Sequence, residues 1–135
     1  MRAFLDLVQL TLPRFGPGAS IIGISSAGAM RALPQYSAVG ASKGALEALC
    51  RHLAAELGPR GFRTNILSPG ALLTEVWEAL PDREARLAEA QRRSPLGRLV
   101  TLEEVAAAAL FLLSPLASGV NGATLVVDGG VHVLE

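Results

Sequence analysis

Tyr36 and Lys43 are the residues whose types and spacing best suit proton chemistry in this 135-residue chain. Each is alone of its kind. The other eleven of the 12 basic residues are arginine, and there is a single tyrosine. Where arginine fills every general surface role, one surviving lysine points to a role of its own. On a helix, at about 100° per residue, seven steps bring the two within roughly 20° of one face and about 10 Å apart along the axis. A phenol can donate a proton or a hydrogen bond and an ammonium brings a fixed positive charge, a combination suited to acid chemistry. Ser25 and Ser26 close a short apolar run and read as turn formers, with Ser26 equally a candidate site hydroxyl.

Alternating elements must position these groups. Arg2 to Phe15 carries Phe4, Leu5, Val8, Leu12 and Phe15 at helical spacing, and Gly16-Pro17-Gly18 ends the helix. Ala19 to Ser25 is a charge-free run, expected of a parallel strand covered on both faces. A small-residue loop, Ser26 to Ala32, follows. The spacing then predicts a long helix from about Gln35 to Leu57, its buried face formed by Ala45, Leu46, Leu49, Cys50, Leu53 and Leu57. A second strand is predicted over Phe62 to Leu67, stopping at Ser68-Pro69-Gly70. An amphipathic helix near Asp82 to Arg92 comes next. Another opens on a capping box, Thr101 with Glu104, and runs to about Leu113. A third strand, Ala123 to Val127, is closed by an Asp128-Gly129-Gly130 turn. Helices crossing over between strands predict an α/β fold with a parallel sheet and helices on both faces. Three strands are few for such a sheet, and the expectation over residues 1–135 is a single partial domain.

Composition excludes several function classes. Half of the residues are hydrophobic and 18% charged, as in a packed globular protein. Twelve basic and twelve acidic residues cancel, which gives no reason to expect a nucleic-acid or membrane-surface partner. Cys50 is the only cysteine, so no internal disulfide can form and a reducing, cytoplasmic setting is expected. The longest apolar run, Val105 to Leu113, falls well short of the roughly 20 residues of a spanning helix. With Asp6 near its start and no small-residue cleavage site, the chain is not expected to open on a signal peptide. No metal-ligand cluster stands out; His52 and His132 lack a partner pattern and read as surface residues, and Cys50 reads as core.

The motifs together carry a family. Ile22-Gly23-Ile24-Ser25-Ser26, Tyr36 with Ser42-Lys43, Arg63 to Gly70 (RTNILSPG) and Val126-Val127-Asp128-Gly129-Gly130 resemble the later strand blocks of short-chain dehydrogenase/reductases, in order and at that family's spacings. The resemblance implies the carboxyl-terminal portion of a Rossmann-type doubly wound sheet, with the amino-terminal half and its glycine-rich cofactor loop missing. Gly16-Pro17-Gly18 is no substitute, because it leads into a strand where a pyrophosphate site needs a helix N-terminus. In the ordinary branch of the family the tyrosine lies four residues before the lysine, a position held here by Val39. Tyr36 before Lys43 by seven is similar to the enoyl-acyl-carrier-protein reductase branch, and within it to the form called enoyl reductase III. Leu80 to Glu84 (LPDRE) and Ser94 to Arg98 (SPLGR) support that closer match.

The resemblance implies an NAD(P)H-dependent enoyl-thioester reductase of fatty acid biosynthesis. In it Tyr36 stabilises the enolate, Lys43 holds the nicotinamide ribose and Ser26 has a supporting part. Pro69, Gly70, Leu72 and Thr74 meet the cofactor, which is NADP or NAD. Implied partners are an acyl thioester, an acyl carrier protein and further copies of the chain, tetrameric in the family. Trp77 reads either as an acyl-pocket residue or as simple packing. The arginines at 83, 86, 92 and 93 face an acidic partner or form a solvated face with Asp82, Glu84 and Glu89. Two other functions compete: a carbonyl or alcohol oxidoreductase of the same fold, and a catalytically silent assembly module. An exposed apolar strand edge leads to the further expectation that the chain is marginally stable or self-associates.

Overall fold

The computed structural model describes residues 1–73 and 82–134. Three strands, β1 (Ser20–Ile24), β2 (Arg63–Pro69) and β3 (Thr124–Val127), form one parallel sheet in the order β1-β2-β3. Around them lie α1 (Arg2–Thr11), α2 (Ser37–Leu57), α3 (Arg83–Arg93) and α4 (Leu102–Leu113). Strand alternation sorts the faces. Ile21, packed on Val8, Leu53, Leu57 and Phe62, turns toward α1 and α2, as does Ile66 against Leu46 and Cys50. Ser20 and Arg63, paired across the ladder, turn the other way and bind the carbonyl end of α4. Helices therefore cover both faces, as the alternation of elements predicts.

Several boundaries move for identifiable reasons. α1 gives way to a 3-10 turn over Leu12–Arg14, because Pro13 has no N–H to continue the ladder, and Phe15 lies exposed instead of joining the core. β2 runs two residues beyond Leu67: Ser68 and Pro69 pair with Val126 and Val127, which costs nothing at a strand end where Pro69 need only accept. β1, expected to be covered on both faces, is only half-buried and leaves Ile24 48% exposed, since it lies at the sheet edge among the described residues. On α2, Leu46, Cys50, Leu53 and Leu57 are buried as the spacing predicts. Leu49 packs from the margin, Ala45 is half-buried, and Glu47 takes an unexpected place inside. Burial pushes the Cys50 thiol up to about 11, against the opposing charge of Arg51, so the thiol stays protonated as a core residue should.

Two asparagines lock β3 to the sheet. The Asn65 side chain donates to Val120 O at 2.9 Å and accepts from Ala123 N at 3.0 Å. Asn121 accepts from Thr64 N at 2.9 Å and donates to Ala54 O at 3.1 Å. Asn65 is fully buried, and Asn65→Ala removes the partner of Ala123 N and leaves Val120 O only its longer contact from Arg63 at 3.4 Å. The expected loss is about 1–2 kcal/mol, read as a lowered denaturant midpoint with an unchanged slope.

The capping box of α4 forms as expected: Glu104 N donates to Thr101 Oγ1 at 3.3 Å, and Thr101 N to the Glu104 carboxylate at 2.8 Å. Arg98 grips the same carboxylate through two nitrogens at 2.7 and 2.9 Å. Hydrogen bonds from Arg98, then from Thr101 N, lower the Glu104 carboxyl from 4.5 to about 2. A depressed carboxyl stabilises the fold above its unfolded value and loses that contribution as pH falls through its folded value. Melting curves of the wild type and Glu104→Gln should therefore differ above pH 4.5 and converge as pH falls toward about 2.

Candidate active site

The candidate site assembles where β1 ends and α2 begins. Ser26 leaves the strand in extended conformation, and Ala27–Ala29 form one 3-10 turn. Gln35 then adopts a left-handed backbone (φ 58°), and Tyr36 stands as the cap residue before α2 rather than inside it. The helix thus starts two residues later than the pattern predicts, because a left-handed residue cannot belong to a right-handed helix. This helix start turns the Tyr36 ring back over the 3-10 turn, against Gly28. Its hydroxyl lies 3.2 Å from Ser26 Oγ, with either oxygen able to donate.

Two glycines make that approach possible. A Cβ on Gly28 would sit 2.5 Å from two ring carbons of Tyr36, and a Cβ on Gly40 would sit 2.6 Å from Gly28 O. Side chains at either position would push α2 off the turn. Sequence reasoning passed over both as ordinary small residues of a loop and a helix. Gly40 standing four residues after the tyrosine on the same face was the available signal.

Lys43 reaches back to the strand and donates from Nζ to Ile24 O at 2.7 Å, which leaves its other ammonium hydrogens for a ligand. Beside it, Ser25 Oγ donates to Glu47 Oε1 at 2.5 Å in a buried contact. Ser26 and Tyr36 open onto a cavity of about 870 Å³ that also takes in the ends of β2 (Pro69, Gly70) and β3 (Asp128). All three strands deliver their carboxyl ends to this space, the position where open α/β sheets hold ligands. Lys43 and Leu72 stand outside the cavity lining; Leu72 instead forms a parallel bridge with Val100. Thr74 and Trp77 lie outside the described residues.

Gly70 abuts Asp128, where a Cβ would come within 2.6 Å of the Asp128 Cβ. The tight Asp128-Gly129-Gly130 turn forms as predicted, both glycines having positive φ. His132, expected to have no partner, in fact has one. Its Nδ1 lies 2.9 Å from Asp128 Oδ1, and Asp128 also accepts from Gly130 N and His132 N. A spacing of four residues across a 3-10 turn brought them together, which helix and strand periods do not anticipate. Burial pushes the Asp128 carboxyl up, and the His132 and Gly130 hydrogen bonds outweigh that and hold it below its usual value. The arginine-rich α3 is solvated, with Arg92 paired to Glu89 at 2.7 Å, while Arg93 joins the cavity wall.

Three parallel strands alternating with helices, with a tyrosine and a serine meeting at the strand ends, constitute a Rossmann-type arrangement. The sequence matches the family model described as Enoyl-(Acyl carrier protein) reductase over residues 1–132, and the chain belongs to that family, within the short-chain dehydrogenase/reductases. It is 37% identical over 131 residues to enoyl-acyl-carrier-protein reductase (NADH) 2 of Rhizobium meliloti, covering 97% of this chain and 49% of the relative. Among solved structures it superposes on the Bacillus cereus enoyl-acyl carrier protein reductase with NADP+ and indole naphthyridinone at a TM-score of 0.90. The identity is 34%, covering 98% of this chain and 51% of that one. A gluconate 5-dehydrogenase from Burkholderia cenocepacia, in complex with NADP and tartrate, is similar at a TM-score of 0.86 and 34% identity, covering 96% and 52%. The chain spans about half the length of the curated relatives it matches.

Proposed function

We propose that this chain carries the tyrosine–lysine part of an NAD(P)H-dependent enoyl-thioester reductase. The observation that carries the reading is the hydroxyl of Tyr36 at the cavity beside Ser26, seven residues before Lys43. Val39, which holds the tyrosine position of the ordinary branch, is exposed and outside the cavity lining. The residues present fit the nicotinamide end of the cofactor. Lys43 has donors to spare for ribose hydroxyls, and Pro69-Gly70 brings backbone to the cavity at a strand end. Among the described residues no glycine-rich turn leads into a helix. Leu72 and Thr74 complete the cofactor segment in this reading, and NADH and NADPH are both admitted.

When bound, the reduced cofactor supplies a hydride. The acceptor is the β-carbon of an α,β-unsaturated thioester. As the new C–H bond forms, the carbon–carbon π pair shifts toward the carbonyl and negative charge collects on the thioester oxygen. Tyr36 donates a hydrogen bond to that oxygen, Ser26 holds the phenol in place, and Lys43 adds a fixed positive charge nearby. A proton delivered to the α-carbon completes the saturated product. The seven-residue spacing suits this chemistry because the charged oxygen lies farther from the hydride acceptor than the oxygen of a simple ketone.

An acyl carrier protein as thioester carrier and a cytoplasmic setting follow from the same reading. Among the described residues no helix is long and apolar enough to cross a membrane. Homo-oligomerisation is also part of the proposal, supported by exposed Leu110, Phe111, Leu113 and Leu116 on and after α4. The gluconate 5-dehydrogenase likeness keeps one second reading, a carbonyl or alcohol oxidoreductase. Turnover of crotonyl thioester against a small ketone, with each cofactor, decides between them. The enoyl-reductase reading expects the thioester alone to be consumed, and reduction of the ketone alone would overturn it.

A further inference from the structure

Three successive residues at the end of β1 each hold one residue of α2 or its cap. Ile24 O accepts from Lys43 Nζ, Ser25 Oγ donates to Glu47 Oε1, and Ser26 Oγ meets the Tyr36 hydroxyl. The outer two contacts involve groups assigned chemical roles above. The middle one has no such role, and it is the most deeply placed: Ser25 is 3% exposed and Glu47 5%. A carboxylate on the inner side of a helix is costly unless something holds it there, so its retention calls for a specific contact. Glu47 lies one helical turn beyond Lys43 on α2.

We propose that Glu47 is a positioning residue for the Tyr36–Lys43 pair. Acting through Ser25, it clamps the end of β1 against α2, so that Ile24 O and Ser26 Oγ are presented in register to Lys43 and Tyr36. Without the clamp, the strand end is tied to the helix and its cap only through the contacts of Lys43 and Tyr36 themselves. Ser26 and the Ile24 carbonyl then shift together, and both the phenol and the ammonium lose their fixed partners. The inference deepens the reductase reading, on which the roles of Tyr36 and Lys43 rest, but it concerns their placement and is tested without turnover.

Since the chain has one tyrosine and one lysine, labelling with [ζ-13C]tyrosine and [ε-13C]lysine gives one signal for each group in the intact 135-residue protein. Glu47→Ala and Ser25→Ala should each shift both signals. Glu47→Gln, whose amide oxygen still accepts from Ser25, should restore both to their wild-type positions. Leu112→Ala, in the core on the opposite face of the sheet, serves as the stability control: it should lower the melting temperature and leave both signals in place. Unmoved signals in Ser25→Ala and Glu47→Ala would overturn the clamp. So would equal shifts in Leu112→Ala, which would reduce Glu47 to a general contributor to stability. Should Glu47→Ala not fold, Ser25→Ala and Glu47→Gln decide alone. Failure of the reductase reading appears elsewhere, as turnover that survives loss of the Tyr36 hydroxyl.

Discussion

Tyr36→Phe is expected to lower kcat for enoyl-thioester reduction by about a hundredfold to a thousandfold, with little change in KM. That is the usual cost of deleting one donor aimed at a developing oxyanion. The phenol serves the thioester oxygen most when that oxygen carries charge, so its loss falls on the transition state more than on the bound substrate. Stability should barely change. Tyr36 and Ser26 are both half-buried, and water can replace the lost contact at Ser26 Oγ. Steady-state kinetics and a melting curve on the same preparation separate the two effects. A variant that melts normally and turns over at the wild-type rate removes Tyr36 from the chemistry.

Gly40→Ala should be the most damaging change outside the chemical groups. Helix propensity alone favours alanine over an interior glycine by about 1 kcal/mol. Against that, the added methyl would lie 2.6 Å from Gly28 O, a backbone atom that cannot rotate away. Overpacking of this kind costs about 1–3 kcal/mol, and here it also separates α2 from the turn that seats the Tyr36 ring. The net expectation is a loss of up to about 2 kcal/mol in stability together with most of the turnover. Gly44→Ala supplies the contrast. Its methyl would meet Ala29 O at 3.4 Å, an ordinary contact, so propensity should prevail and stability should rise by about 0.5–1 kcal/mol. Denaturant titrations of the two variants should move in opposite directions, and a gain of stability in Gly40→Ala would mean the close approach is absent in solution.

The parts of this fold that were legible in the sequence are those governed by a period or a local motif. The apolar spacing of α2, the charge-free first strand and the Thr101–Glu104 box each announce themselves within a few residues. The Tyr36–Lys43 spacing was readable for the same reason, since one helix carries nearly all of it. What escaped depends on contacts between elements. Nothing in the local pattern marks Gly28 and Gly40 as the floor beneath the tyrosine ring, because the clash exists only once the turn lies on the helix. Glutamate is a surface type in general, and the burial of Glu47 goes with Ser25 facing α2 from the end of β1. His132 found Asp128 through a tight turn of two left-handed glycines, a geometry outside the helix and strand periods.

The central claim is that hydride goes to the β-carbon of an enoyl thioester while Tyr36 holds the oxygen that becomes negative. The most direct test supplies this chain with crotonyl thioester and reduced cofactor carrying deuterium at its hydride position, then locates the label in the product. The account predicts deuterium on the β-carbon, a solvent-derived hydrogen on the α-carbon, and transfer strongly slowed in Tyr36→Phe. Deuterium on the carbonyl carbon, or no transfer to the thioester at all, would contradict it.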